Sequence, residues 1–198
     1  MQKIILIIAV VMGQSVLAAD KKPLITNPIV EKAIRKELKK PKGELTKADL
    51  EKVTTLRLSR TKITDAGLKE VAKLQQLKEL ELSDTKITDT GLKELAKLPR
   101  LWRLSLFNTE ITDAGLKDIA KLQNLTSLSL RNTKITDAGL KDIAKLQKLT
   151  RLDLHSTKIT DAGLKDVAKM QNLAGLCLDD TKITDAGLKD IAKLQKLT

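Results

Sequence analysis

The chain has no tyrosine, one phenylalanine, one tryptophan, one histidine and one cysteine in 198 residues. A lone Cys177 excludes an internal disulfide, so stability has to come from packing. With aromatics at 1%, the core has to be built from Leu, Ile, Val and Ala. Long apolar runs are scarce as well. Ile4 to Met12 is an unbroken apolar stretch of nine residues, short of the roughly 20 needed to span a bilayer. It follows Lys3 and leads to small residues through Ser15 and Ala18-Ala19, which marks residues 1–19 as a secretory signal peptide. No cysteine follows this stretch to carry a lipid anchor, and no second hydrophobic segment exists to hold the chain in a membrane. The expectation is a freely soluble exported protein, secreted or periplasmic according to the cell envelope.

What the sequence does have is repetition. The segment Thr-Lys-Ile-Thr-Asp-Ala-Gly-Leu-Lys recurs, with small changes, from Thr61, Thr85, Thr109, Thr133, Thr157 and Thr181, six copies of a 24-residue unit. A period of this length means a solenoid. Within one unit, Leu128 and Leu130 alternate with Ser127 and Ser129, which predicts a short strand with one face buried. Leu140, Ile143, Ala144 and Leu146 then follow helical spacing, with Thr136 as N-cap and Asp137 in the first turn. Each unit is strand, turn, helix. Neither element covers its apolar side alone. A buried Leu or Ile contributes about 1.5–3 kcal/mol only once a neighbouring unit closes over it.

These residues resemble the leucine-rich repeat proteins: Leu-x-x-Leu-x-Leu-x-x-Thr-x-Ile-Thr-Asp-x-Gly-Leu recurs from residue 53, where Val53 replaces the first Leu. The Thr-Asp-x-Gly-Leu tail is most similar to the cysteine-containing subclass, with Thr61 and its five equivalents where the family commonly carries Asn or Cys. The resemblance implies an α/β horseshoe, with a parallel sheet on the concave face and short helices on the convex face. A hydroxyl in that turn is expected to bond to the backbone of the adjacent repeat, because burying it unpaired costs about 1–3 kcal/mol. The six threonines read as a structural ladder.

Upstream, Asn27-Pro28 supplies an N-cap and a first helical residue, and Val30, Ala33, Ile34 and Leu38 share one face of a helix that Pro41 and Gly43 end. Thr46 to Asp49 is a second capping pattern. This segment is similar to the N-terminal cap of secreted bacterial proteins of the internalin type. The expected organisation is signal peptide 1–19, cap 20–52, six repeats 53–196, and at 197–198 the start of an incomplete seventh. An open edge including Leu188, Ile191 and Leu194 is expected at the far end. Truncation, cover by a partner or second copy, and fraying of the last repeat all remain open as explanations.

Copies within one chain can be compared with each other. The helical half barely varies, whereas the outward strand positions differ from copy to copy, and the resemblance implies ligands on that concave face. The candidate partner-binding residues there are Arg57, Glu79, Glu81, Trp102, Arg103, Phe107, Arg131, Arg151, Asp153, His155 and Asp179. Phe107 and Trp102 are the single members of their types, and large exposed aromatics are frequent interface hot spots. The charges alternate in bands along the solenoid, which suits a protein ligand with complementary patches.

Loss of residues 1–19 leaves 36 basic and 25 acidic residues. The five non-core positions of each strand segment hold six basic and six acidic residues in total, so the concave face is neutral and the excess lies elsewhere. A nucleic-acid groove needs concentrated positive charge, usually with stacking aromatics. The face has neither, so no nucleic acid is expected. The lysine-rich convex side is either a solvated surface or one that adsorbs to an anionic envelope.

Asp153 and Cys177 occupy equivalent positions, as do His155 and Asp179, so neighbouring strands place each pair about 4.8 Å apart. Cysteine with histidine is a nucleophile pattern, and Cys, His and Asp are zinc ligands. The strand surface is shallow, though, and no ligand types recur at metal-binding spacing, so neither catalysis nor a metal or other cofactor is expected. The sequence predicts a non-enzymatic module that binds a protein. Self-association through the C-terminal edge is the alternative. A fragment of a ubiquitin-ligase-like substrate receptor is a third reading, at odds with the signal peptide and with the lack of an F-box-like segment.

Overall fold

A computed structural model describes residues 22–197; the expected signal peptide lies outside these residues. Two helices lead the described residues, α1 (Pro28–Glu37) and α2 (Lys47–Leu50). Six strand and helix pairs follow: β1 (Thr55–Arg57), α3 (Asp65–Val71), β2 (Glu79–Glu81), α4 (Asp89–Leu95), β3 (Arg103–Ser105), α5 (Asp113–Ile119), β4 (Ser127–Ser129), α6 (Asp137–Ile143), β5 (Arg151–Asp153), α7 (Asp161–Val167), β6 (Gly175–Cys177) and α8 (Asp185–Ile191). The strands form one parallel sheet in sequential order. Every residue pairs with its equivalent in the next unit, as in Leu104↔Leu128 and Leu128↔Leu152.

Repetition of one pattern explains this register. Leu56, Leu80, Leu104, Leu128 and Leu152 point inward at 2% exposure or less, beneath Leu68, Leu92, Leu116, Leu140 and Leu164 of the helices. The core is one continuous aliphatic column running from Ile25 to Leu194. Each helix is shorter than the apolar spacing suggests: α6 ends at Ile143, and Leu146 is buried from the turn beyond it. Among the described residues no helix is long and apolar enough to cross a membrane.

Ahead of the sheet, Asn27 accepts hydrogen bonds from the backbone of Ile29 and Val30, and Thr46 and Asp49 form a reciprocal capping box. Helix α1 stops at Glu37, before Pro41, and Lys39 takes a left-handed conformation at φ 52°. The Arg35 guanidinium holds the turn that follows through the carbonyls of Lys40 and Gly43. Ile25, Val30, Ile34, Leu45 and Leu50 are buried in the same core as the repeats.

Two expectations need correction. The threonine hydroxyls do not reach the adjacent repeat. Thr85, Thr109, Thr133 and Thr157 each donate to the carbonyl three residues back, in their own repeat, at 2.6 Å. The chain turns so tightly after Leu-x-Leu that the nearest free acceptor is the strand's own carbonyl. At the far end, Ile191 and Leu194 are buried at 7% and 4% exposure, because both point back toward the preceding repeat. Leu188 alone of the expected three is exposed, at 44%, while Leu176, Leu178 and Ile183 are half-covered.

Repeats are bridged instead by the Thr-Asp-x-Gly segment. Asp65, Asp89, Asp113, Asp137 and Asp161 each accept the backbone N–H and the hydroxyl of the threonine 23 residues on, Thr88, Thr112, Thr136, Thr160 and Thr184. The same hydroxyl accepts an N–H from the first turn of its own helix, so it caps the helix while it anchors the neighbour. Glycine at the next-but-one position makes room: a Cβ on Gly163 would overlap the Asp137 carboxylate. Thr64 has no aspartate in a preceding repeat, and it makes no side-chain cap bond.

Candidate functional site

The outward strand residues line the concave face in three groups. At the first-repeat end, Arg57 is 3.4 Å from Glu37 of α1 and 4.0 Å from Glu81, and Arg60 is 3.4 Å from Asp84. Glu79 is aligned with Arg103 in the sheet register. Charge here is compensated within the chain.

The middle group surrounds a groove of about 720 Å³ that crosses β3 to β6, with Trp102, Arg103, Ser127, Arg151, Asp153 and Cys177 among its lining. Arg103, Ser127 and Arg151 sit side by side on adjacent strands. Serine is short, so the two arginines flank a depression. Gly175, with no side chain, extends it next to Arg151. Both arginines are exposed, and among the described residues neither forms an ion pair. Trp102, 37% exposed, stands at the rim.

The third group lies beyond the strand ends. Here the chain turns through a left-handed residue in every repeat: Arg60, Asp84, Asn108, Asn132, Ser156 and Asp180, with φ from 52° to 59°. Asparagine and aspartate tolerate this region better than other side chains. Their side chains link in series, Asn132 donating to Asn108 at 2.8 Å and Asn108 to Asp84 at 2.7 Å. Beside them Arg131 covers the Phe107 ring at 5.5 Å, a cation–π contact. Phe107 is therefore half-buried beneath an arginine, apart from the groove.

His155, Cys177 and Asp179 converge next to this stack, their ligand-capable atoms all within 4.8 Å of one another. Cys177 Sγ donates to Asp179 Oδ2 at 3.0 Å. His155 Nδ1 is 3.9 Å from the same oxygen, and its Nε2 is 3.3 Å from Asp180 Oδ2. Asp153 Oδ1 accepts the His155 backbone N–H at 3.1 Å and its other oxygen accepts from Ser129. The hydrogen bond to Asp179, and then burial, push the Cys177 thiol up. The same bond, with the charges of His155 and Arg131, holds the Asp179 carboxyl below its ordinary range.

The predicted residues thus divide. Trp102, Arg103, Arg151 and Asp153 share the groove; Phe107, Arg131, His155 and Asp179 share the turn region; Arg57, Glu79 and Glu81 lie at the first-repeat end. Sequence reasoning overlooked Asn108 and Asn132, and took Asp180 only as one of the banded outward charges, not as a neighbour of His155. Their signal was a polar residue recurring just before each Thr-x-Ile, the mark of a left-handed turn.

Comparison with known proteins agrees with this geometry. The family described as leucine rich repeat matches residues 51–111, and that described as leucine rich repeats in two copies matches 123–166, together more than half of the chain. The fold is similar to that of internalin C2 from Listeria monocytogenes, with a TM-score of 0.54 and 26% identity over 88% of this chain and 92% of that one. It is also similar to a secreted internalin-like protein of the same organism, with a TM-score of 0.61 and 18% identity over 88% of this chain and 62% of that one. No curated protein matches the chain in sequence.

Proposed function

Because the chain belongs to the leucine-rich repeat family, we propose that it is an exported interaction module whose concave face binds acidic side chains of a protein partner. One observation carries this reading. Arg103 and Arg151 flank Ser127 across the groove and, among the described residues, neither is engaged in an ion pair, although Glu79 is the register neighbour of Arg103 and Asp153 lines the same groove; Arg57 and Arg60, by contrast, are paired in place. Five lysines just beyond the ends of the convex helices are paired with an acid three residues back in the same way, from Lys73–Glu70 to Lys169–Asp166. Planar guanidinium groups held at two sides of a small-residue floor suit carboxylates, which they bind through paired hydrogen bonds. Trp102 at the rim adds apolar area.

Residues 20–52 act in this reading as the cap of the repeat array at 53–196, and the leader 1–19 directs export. The neutral balance of the concave face argues against nucleic acid. No reaction is assigned to it.

Selection of a displayed random-peptide library against the chain from residue 20 onward tests the proposal. Acidic peptides are expected to be enriched, and to lose at least tenfold in affinity, about 1.4 kcal/mol, when Arg103 and Arg151 are both replaced with Ala. Replacing Lys117 and Lys141 on the convex side is expected to change nothing. Equal binding by the arginine variant overturns the reading.

Exposure of Leu188 beside half-covered Leu176, Leu178 and Ile183 favours a second reading, self-association through that edge. Its test is sedimentation over a range of concentrations. Association that Leu188→Glu abolishes supports it, and a monomer at every concentration refutes it.

A further inference from the structure

We propose that His155, Cys177 and Asp179 form a binding site for a borderline-soft divalent cation such as zinc, oriented by Asp180. The site adjoins the groove at Cys177 but takes no ligand from the groove arginines. Three different donor atoms, from two neighbouring repeats, meet within 4.8 Å. A tetrahedral zinc with bonds of about 2.3 Å to sulfur and 2.0 Å to nitrogen or oxygen separates its S and O ligands by about 3.5 Å and its N and O ligands by about 3.3 Å. The distances from Asp179 Oδ2, 3.0 Å to Cys177 Sγ and 3.9 Å to His155 Nδ1, bracket these values. Small rotations of the exposed Asp179 and the half-buried His155 and Cys177 side chains close the difference.

The carboxylate facing the outer ring nitrogen of His155 separates this cluster from a chance grouping. A metal-bound imidazole nearly always gives its other ring N–H to a carboxylate or carbonyl, which fixes the tautomer and the ring plane. With Nδ1 toward the cation, His155 Nε2 already faces Asp180 Oδ2 at 3.3 Å. The backbone is held as well, because the His155 N–H is bound by Asp153. Asp180 is in place through the left-handed turn at φ 53°. A regular period of 24 residues supplies the convergence: strand register brings Cys177 beside Asp153, and so carries Asp179 beside His155.

Charge favours a cation. Asp153, Asp179 and Asp180 lie around the site, with the guanidinium of Arg131 nearby and that of Arg151 in the adjoining groove. Mixed sulfur, nitrogen and oxygen donors select zinc, cobalt or nickel over magnesium or calcium, which prefer oxygen alone. On binding, the Cys177 S–H bond breaks and a sulfur–metal bond forms, the proton leaving to solvent. Three protein ligands leave the fourth position open to water or to a partner's side chain.

The test is titration of the full chain, kept reduced with a phosphine, with cobalt(II) as a spectroscopic probe. The expected result is a thiolate-to-cobalt charge-transfer band that saturates at one ion per chain and is displaced by zinc. Cys177→Ser is expected to abolish the band, and His155→Gln to weaken binding at least tenfold. Asp180→Asn keeps all three ligands, so a tenfold or greater loss there reports on the outer partner of His155, through the orientation of the ring and the charge beside it. Circular dichroism on each variant confirms the fold. No band at millimolar cobalt overturns the site, as does a band whose midpoint is the same in His155→Gln, since that is a bare thiol.

Discussion

The carboxylate of Asp137 crosses from one repeat to the next and clamps Thr160, accepting its backbone N–H at 2.8 Å and its hydroxyl at 2.6 Å. The clamp recurs at every interface between repeats. Hydrogen bonds to a charged acceptor are worth about 1.5–3 kcal/mol.

Asp137→Ala is therefore expected to lower unfolding stability by about 2 kcal/mol, read from the midpoint of urea denaturation. Gly163→Ala is expected to cost about 1–3 kcal/mol, because its new methyl would overlap the Asp137 carboxylate. The double variant removes both the clamp and the object of the clash. Its cost is expected to be less than the sum of the two, and simple additivity would mean that the two residues do not meet.

Acid should weaken the clamp. Hydrogen bonds from the Thr184 hydroxyl and backbone, and from the Gly187 N–H, hold the Asp161 carboxyl below its ordinary range. A carboxyl depressed in the folded state stabilises the fold above its unfolded value of about 3.9, and that contribution disappears as pH falls through the folded value. Glu70 acts in the same sense: burial pulls it up, but bonds from Lys73 and Thr26 outweigh this and lower it. The melting temperature is expected to fall below about pH 4, and Asp161→Asn to flatten part of that fall. An unchanged acid limb in Asp161→Asn would remove Asp161 from the account.

Which parts of this were legible follows from what repeats. Leu128, Leu130 and Leu140 announce strand and helix by spacing, and six copies in phase make the sheet register unavoidable. The roles of Thr133 and Asp137 were harder to read, because spacing does not reveal which repeat a side chain bonds to. Thr133 turns back to Leu130 and Asp137 reaches forward to Thr160, the reverse of the expectation that the first threonine bridges repeats. At the concave face, Cys177 and His155 were legible as neighbours from the period alone. Asp180 was not, since its approach to His155 depends on a left-handed turn that only the backbone displays.

That turn has its own cost. Asn132 sits at φ 52° and donates to Asn108 at 2.8 Å. Asn132→Ala loses both the local tolerance of this conformation and the side-chain bond, and is expected to destabilise by about 1–2 kcal/mol. Asn132→Gly restores the backbone freedom but not the bond, so its cost should be clearly smaller, as measured by denaturant titration of the two variants. If both cost the same, the side-chain bond and not the backbone conformation decides the residue at this turn.

Phe107 and Arg131 offer a test of whether the turn region is prearranged. Their cation–π contact, at 5.5 Å to the ring centroid, is partly exposed and belongs to a class worth about 0.5–1 kcal/mol. A double-mutant cycle on the stability of Phe107→Ala, Arg131→Ala and the pair is expected to return a coupling of that size. Attraction to the ring quadrupole requires a positive charge, so Arg131→Gln should lose most of the coupling while keeping much of the side-chain length. A coupling near zero would mean that the two side chains move independently in solution. Phe107 would then be an exposed aromatic open to a ligand, and the concave face would have a second anchor beyond the arginines of the groove.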